Sequence, residues 1–222
     1  MKLTRFLLAG CGTIGERHAK LAAEKGVLVA VCDIDEKKAK AFSAKYDCYG
    51  YTSLKDMLKN EEADALLVCT PNGLHATHSI SGLKANLHVL CEKPFAINQK
   101  QVFNMIEASK KNNMFLMEAL WTRFLPAIKK IKSIIENGEI GEIKYLNADF
   151  SFKANPSIQR IYDKELGGGS ILDIGIYPAF LSLFLLGYPS KIMAASIFAP
   201  TGTDETTSFI YQYDNQATAL LN

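Results

Sequence analysis

A glycine-rich segment near the start of the chain has the residue types and the spacing of a phosphate-binding loop. Its residues are Gly10, Cys11, Gly12, Thr13, Ile14 and Gly15. In a G-x-G-x-x-G loop between a strand and a helix, the first glycine permits a tight turn and the second admits a pyrophosphate. The N–H groups at the helix start then face the phosphates. The segment favours a dinucleotide site over the alternative, a plain glycine turn.

Asp33 supplies the carboxylate that such a site uses. It ends the second apolar run, 18 residues after Gly15, close to the ~20 residues expected for the carboxylate that accepts hydrogen bonds from a ribose. A carboxylate there repels the extra phosphate of NADP, and Lys37 and Lys38 follow too late to form an obvious phosphate clamp. We therefore expect NAD as the cofactor, with NADP less favoured. The alternative is a solvated loop aspartate.

The elements that position these residues alternate along the first half of the chain. Apolar, strand-like runs are predicted at 3–10, 27–34, 64–70, 88–92 and 114–120. Helical patterns are predicted at 15–25, 35–46, 53–63, 74–87 and 98–112. Strands that are apolar throughout, with helices between them, imply a parallel sheet covered on both faces. We expect an α/β fold in which residues 1–121 form a doubly wound Rossmann domain.

The pattern changes in residues 122–222, which we assign to an α+β domain with an open, mainly antiparallel sheet. Helices are predicted at 126–137 and 170–187, and strands at 143–152, 191–199, 206–213 and 217–221. Pro178 is expected to kink the second helix or to lie in its first turn. The chain stops inside an apparent strand, so we expect this domain to be incomplete and C-terminally truncated.

Composition narrows the class of protein. The 222 residues carry 25 Lys and Arg against 23 Asp and Glu, a net charge of +2 that favours no nucleic-acid partner. The weakly polar run at 174–189 is shorter than the roughly 18 residues of a spanning helix, so no membrane partner is expected. Five cysteines without zinc spacing indicate a reducing, cytoplasmic compartment, and no metal site is predicted.

Four further segments carry a family resemblance. They are Thr70-Pro71-Asn72-Gly73-Leu74-His75, Cys91-Glu92-Lys93-Pro94, the run from Gly167 to Tyr177, and the run from Met117 to Phe124. Together with the glycine motif, the sequence resembles the Gfo/Idh/MocA family of nicotinamide-dependent oxidoreductases. The last two segments resemble its branch of dimeric dihydrodiol and D-xylose dehydrogenases.

The resemblance implies three catalytic residues. The lysine of the family's Glu-Lys-Pro turn is catalytic, which assigns that role to Lys93. Tyr177 stands where many members have a histidine and would exchange the proton, assisted by the Lys93 ammonium because a phenol alone is a poor base. Asp173 would orient the substrate or hold Lys93. The alternatives are a solvated surface lysine and a packed tyrosine with a capping aspartate.

The resemblance also extends the cofactor site beyond the glycine loop and Asp33. The additional candidates are Thr70, Pro71, Asn72, His75, Glu92, Lys93, Trp121 and Arg123. A cis Glu-Lys-Pro turn is expected, with Glu92 beside the nicotinamide ribose. Trp121 and Arg123 would line the cleft, although packing at the domain boundary is an equal alternative.

The implied activity is hydride transfer between NAD(P) and a CH–OH group of a sugar, polyol or related diol. A homo-dimer or higher homo-oligomer would form through the sheet of the second domain. The alternative function is a non-catalytic NAD(H)-binding sensor or an inactive truncated homologue, since a fold alone does not fix an activity.

Overall fold

A computed structural model describes residues 3–155 and 157–222. The chain divides into two compact units, the first ending at Ala119 and the second running from Leu120 to Asn222. No helix in the described ranges is both long enough and apolar enough to cross a membrane.

The first unit is built on a six-stranded parallel sheet. Its strands are β1 (Arg5–Ala9), β2 (Val27–Cys32), β3 (Tyr49–Tyr51), β4 (Ala65–Val68), β5 (His88–Cys91) and β6 (Leu116–Glu118). Their order is β3-β2-β1-β4-β5-β6, and every neighbouring pair is parallel. The predicted doubly wound parallel sheet is confirmed, and β3 is the strand that sequence analysis missed.

Five helices connect these strands. They are α1 (Thr13–Lys25), α2 (Glu36–Tyr46), α3 (Leu54–Asn60), α4 (His75–Lys84) and α5 (Gln99–Asn112). Side chains cap three of the helix starts: Asp35 accepts from Lys37 N–H, Ser53 from Asp56 N–H and Asn98 from Gln101 N–H. These caps satisfy backbone donors that a helix start leaves open. The capping residues coincide with the predicted first residues of these three helices. Helices α3 and α4 end three residues before their predicted ends.

Both faces of the first sheet are buried. In β1 the consecutive residues Leu7 and Leu8 are fully buried, although their side chains point to opposite faces. The apolar runs therefore follow from helices that cover each face. Cys11 lies in this core, and burial raises the pKa of its thiol to about 12, which keeps it protonated at neutral pH.

The second unit contains a mixed four-stranded sheet. Its strands are β7 (Tyr145–Ala148), β8 (Lys191–Phe198), β9 (Asp204–Gln212) and β10 (Thr218–Leu221), in the order β7-β10-β9-β8. Strand β9 is antiparallel to β8 and β10, while β7 is parallel to β10. The mainly antiparallel arrangement is as predicted, but the predicted strand at 143–152 forms only over Tyr145–Ala148.

Three helices accompany this sheet: α6 (Pro126–Glu136), α7 (Gln159–Tyr162) and α8 (Ile176–Leu186). A π turn, Ile171–Gly175, runs directly into α8. Pro178 therefore lies in the first turn of α8, one of the two positions predicted for it. Buried residues of β9, such as Phe209 and Tyr211, pack with Ala179 and Leu186 of α8.

The glycine loop, residues 10–15, yields a stability prediction. A Cβ on Gly15 would lie 1.9 Å from Gly10 O, whereas a Cβ on Gly12 would meet no atom within 4 Å. Gly15→Ala should lower the free energy of unfolding by about 3 kcal/mol, because the backbone must move to relieve the overlap. Gly12→Ala should cost less than about 1 kcal/mol. Urea unfolding checks both values, and equal losses would contradict the close packing of Gly15 against Gly10 O.

Candidate active site

The glycine loop leaves open space where a phosphate-binding loop needs it. Gly10 has φ +99°, and a Cβ there would lie 2.4 Å from Cys69 O. Gly12 is the N-cap residue of α1, no side chain caps this helix start, and nothing lies near its missing Cβ. Free backbone donors and open space at the same helix start are suited to an anion. The loop therefore fits the pyrophosphate of a dinucleotide.

Asp33 is anchored beside the loop at the end of β2. Its Oδ2 accepts from Cys11 N–H at 2.8 Å, and its Oδ1 accepts from Asp35 N–H at 2.9 Å. Each carboxylate oxygen has a second lone pair available for another donor. The half-buried carboxylate thus fixes the loop conformation and can still accept hydrogen bonds from ribose hydroxyls.

The segment after β4, residues 70–72, is held by a hydrogen-bond contact with the buried side chain of His75. The side chain of His75 is only 1% exposed, with Nδ1 2.7 Å from Pro94 O and Nε2 2.8 Å from Thr70 O. Burial lowers the pKa of His75, and a neutral imidazole donates to only one of these carbonyls. His75 therefore connects two loops from within the core, while Thr70, Pro71 and Asn72 remain half-buried at the surface of the unit.

The turn of residues 92–95, called the Lys93 turn below, is fixed on both sides of Lys93. The Lys93–Pro94 peptide is cis, as the resemblance implies. Glu92 N–H donates to Val68 O at 2.9 Å, and Phe95 N–H donates to Glu118 Oε1 at 2.8 Å. These bonds, with the His75 contact to Pro94, hold the backbone that carries the Lys93 ammonium.

Two side chains that sequence analysis left without a role support this turn. His18 Nε2 lies 2.7 Å from Glu92 Oε1, and Glu92 Oε2 accepts from Lys93 N–H at 3.1 Å. Glu118 is half-buried, and desolvation raises the pKa of its carboxyl group. The sequence feature that could have identified His18 is its position one helical turn after Gly15, which puts it on the side of α1 that faces the strand ends.

In the second unit, Asp173 and Tyr177 lie on the segment that runs from the π turn into α8. Arg160 Nη1 pairs with Asp173 Oδ1 at 3.3 Å. Tyr177 Oη accepts a hydrogen bond from Trp121 Nε1–H at 3.3 Å, and the Tyr177 ring meets Phe150 edge-on at 5.4 Å between centroids. The phenol thus sits in an aromatic cluster with an N–H donor on its oxygen.

Trp121 and Arg123 lie on one 3₁₀ turn, Trp121–Phe124, but face different surroundings. Trp121 is 57% exposed beside Tyr177. The Arg123 guanidinium lies 5.2 Å from the centre of the Phe184 ring, a cation–π contact with α8. A cavity of about 150 Å³ is lined by Tyr177, Pro178, Asp149 and their neighbours.

The first unit therefore brings the glycine loop, Asp33, the Thr70–Asn72 segment and the Lys93 turn to the carboxyl ends of β1, β2, β4 and β5. This is the edge at which open α/β sheets bind ligands. A larger groove of about 520 Å³ lies between α3 and α4, and none of these residues lines it. In the second unit, Tyr177 and Trp121 are in direct contact through a hydrogen bond.

Comparison with known proteins identifies both units. Residues 4–120 match the model of the Gfo/Idh/MocA oxidoreductase family, described as a NAD-binding Rossmann fold, and residues 128–222 match the model of that family's C-terminal domain. The chain is 35% identical over 198 residues to trans-1,2-dihydrobenzene-1,2-diol dehydrogenase of Xenopus laevis, which covers 88% of this chain and 60% of the relative. It therefore spans about three fifths of the length of that enzyme.

Two further proteins show the same likeness. The scyllo-inositol 2-dehydrogenase (NADP(+)) of Bacillus subtilis is 31% identical over 231 residues, covering 99% of this chain and 70% of the relative. The solved WlbA dehydrogenase of Chromobacterium violaceum, in complex with NADH and UDP-GlcNAcA, superposes with a TM-score of 0.92 at 26% identity, covering 99% of this chain and 66% of that one. The resemblance drawn from the motifs is confirmed, and the chain belongs to the Gfo/Idh/MocA family of oxidoreductases.

Proposed function

We propose that this protein is a dehydrogenase that transfers hydride between NAD(P) and a CH–OH group of a sugar, polyol or related diol. The observation that carries the proposal is the order of chemical groups along one sheet edge. Asp33 follows β2, the glycine loop follows β1, Thr70 follows β4 and Lys93 follows β5, and these four strands are adjacent in that order. A dinucleotide bound along this edge would contact the Asp33 carboxylate with its ribose, the glycine loop with its phosphates and then the Lys93 ammonium.

The strand spacing supports this placement. Adjacent strands lie roughly 4.8 Å apart, so the Lys93 turn stands about 10 Å from the glycine loop. In the proposed arrangement the ammonium stands beyond the pyrophosphate, on the side opposite Asp33. When bound, the nicotinamide ring accepts or returns the hydride. Lys93 then hydrogen-bonds the substrate oxygen and contributes positive charge beside the reacting carbon.

Tyr177 is proposed to exchange the hydroxyl proton. In the oxidation, the C–H hydrogen leaves as hydride to the nicotinamide and the O–H proton passes to the oxygen of the deprotonated (phenolate) form of Tyr177, which leaves a carbonyl and a neutral phenol. The Trp121 N–H donor on that oxygen stabilises negative charge there whenever the proton is absent. Asp173, fixed by Arg160, is proposed to orient the substrate hydroxyl.

The cofactor preference is proposed to rest on Asp33. Its carboxylate lies where the extra phosphate of NADP would approach, and like charges repel there. Lys37 N–H and Lys38 N–H both donate to Asp35, whose carboxylate adds negative charge at the start of α2. One relative is named for NADP and another was solved with NADH. The proposed cofactor preference therefore rests on the residues of this chain.

A homo-oligomer through the second sheet is also proposed. On the face opposite α8, Met193 pairs with Ile210, and Ile197 is 66% exposed at the same face. Apolar side chains exposed in a row on a sheet are typical of an association surface. The proposed setting is the cytoplasm, in keeping with five free cysteines.

A substrate screen tests the activity. NAD, NADP and their reduced forms are incubated with trans-1,2-dihydrobenzene-1,2-diol, scyllo-inositol, D-xylose and the corresponding carbonyl compounds, while nicotinamide absorbance is followed. Turnover of at least one CH–OH compound is expected. Tight NADH binding with no turnover of any class would instead favour the sensor.

The role of Lys93 has a direct test. Lys93→Met should lower kcat about 10²–10⁴-fold, because the ammonium is lost while a side chain of similar length remains. NADH affinity should stay within about threefold, since the glycine loop and Asp33 carry the binding. Lys100→Met, on the exposed first turn of α5, is the matched control. Undiminished turnover in Lys93→Met would remove Lys93 from the mechanism.

Tyr177→Phe removes the phenol oxygen and keeps the ring against Phe150. The kcat of this variant should fall about 10²–10⁴-fold, with little change in dinucleotide affinity or unfolding midpoint. Tyr188→Phe, at a residue that is 93% exposed, is the control and should turn over normally. If Tyr177→Phe matches the wild-type rate, another group exchanges the proton.

Fluorescence titration with NADH and NADPH measures the cofactor preference. The unaltered protein should bind NADH more tightly, and Asp33→Asn should narrow the difference about tenfold or more by removing one negative charge. An asparagine retains an oxygen that can accept from Cys11 N–H, so the loop should persist. Tighter binding of NADPH by the unaltered protein would reverse the proposal.

A further inference from the structure

Asp204 begins β9, yet its carboxylate reaches the start of the helical segment that carries Asp173 and Tyr177. Its Oδ2 accepts from Ser170 Oγ–H at 2.6 Å and from Ile171 N–H at 2.7 Å. These contacts join positions 33 and 34 residues apart in the sequence. Thr207 Oγ1–H, itself buried, lies 3.3 Å from the same oxygen.

The helical segment has no cap of its own at this end. Ser170 is the N-cap residue of the π turn, and its side chain makes no capping hydrogen bond to the backbone. Ser170 instead donates to Asp204, whose carboxylate takes the place of the missing acceptor for Ile171 N–H. A carboxylate at a helix start satisfies an open N–H donor and is favourable to the helix dipole.

Gly169 makes room for this carboxylate. Its φ is +116°, and a Cβ added there would lie 2.1 Å from Asp204 Oδ1. The preceding Gly168 is equally confined, since its Cβ would lie 2.4 Å from Ile161 O. Gly169, the last glycine of the Gly167–Gly169 run, is therefore required by the side chain of Asp204 in β9.

The segment that Asp204 caps has an unusual geometry. Asp173 lies inside the π turn, with its N–H donating to Gly169 O at 3.1 Å, and Tyr177 follows in the first turn of α8. A π turn holds one residue more than an α-helical turn and is rarely stable without support. If it relaxed to α-helix, Asp173 would rotate about 100° relative to Tyr177, the rotation of one residue.

We propose that Asp204 is a positioning residue. By capping Ile171 from β9 it holds the π turn in register and so sets where the Asp173 carboxylate and the Tyr177 hydroxyl stand. The catalytic part of this inference rests on the roles proposed above for Asp173 and Tyr177. The conformational part stands on the contacts of Asp204 alone.

The chain contains a built-in reporter of this geometry. Trp121 is the one tryptophan of the sequence, and its Nε1–H donates to Tyr177 Oη. Its emission and its quenching by acrylamide therefore respond when Tyr177 moves. Tyr177→Phe, which deletes the acceptor oxygen, defines the signal of a broken contact.

The experiment compares Asp204→Ala, Asp204→Asn and Gly169→Ala, with Asp214→Ala in the exposed β9–β10 turn as the control. Asp204→Ala and Gly169→Ala should shift Trp121 emission and quenching toward the Tyr177→Phe signal. Asp204→Asn keeps an oxygen that can accept from Ile171 N–H, so it should restore the wild-type signal. With the best compound of the screen, kcat of Asp204→Ala should fall about 100-fold, while NADH affinity stays unchanged.

The outcomes separate this inference from the proposed function. Wild-type emission and quenching in folded Asp204→Ala would overturn it. If that variant does not fold, wild-type signals in Gly169→Ala would overturn it instead. A shifted signal with Asn rescue supports the positioning role even where Tyr177→Phe proves active, and that last result removes only the catalytic role of Tyr177.

Discussion

The structure of the first unit depends on how closely the backbone approaches itself at the end of β1. Gly10 lies against Cys69 O after β4, and Gly15 lies against Gly10 O, at distances that no Cβ tolerates. This approach puts the start of α1 directly over the ends of the central strands. Because the Cys11 N–H also reaches Asp33 at the end of β2, the loop and the neighbouring strands form one rigid edge. The donors and acceptors at that edge are thereby held in fixed positions.

The Lys93 turn extends the same edge by a different device. Three carboxylate or imidazole side chains, Glu92, Glu118 and His75, bond to its backbone or to its flanks. Burial raises the pKa of Glu118 and lowers that of His75, because each charged form loses hydration there. Such groups are costly to bury, and their hydrogen bonds to one short turn offset that cost. Lys93 is thereby carried on a backbone that is fixed before any ligand arrives.

The sequence was most informative where the chemistry is local. The alternation of apolar runs and helical patterns predicted the parallel sheet, and Asp35, Ser53 and Asn98 marked helix starts that the structure confirms. Strand β3 escaped because its three residues, Tyr49–Tyr51, have no periodicity of their own and are held only by pairing with β2. The long strand predicted at 143–152 is shorter because only Tyr145–Ala148 finds a partner, in β10.

The candidate site shows the same contrast between residues that local sequence patterns reveal and residues that only the fold brings together. Residue type and spacing identified Gly12 and Asp33 as candidates, whereas Lys93 and Tyr177 were identified through the family resemblance of the short motifs that contain them. Residues that hold those candidates act across 33 to 74 positions of sequence, as Asp204 does with Ile171 and His18 with Glu92. No local pattern distinguishes such a histidine or aspartate from a solvated one, because its partner is chosen by the fold. The positions of the candidate side chains are therefore set by long-range contacts that become visible only after the fold is known. A chain can keep every motif residue and still lose the geometry in which those residues act together.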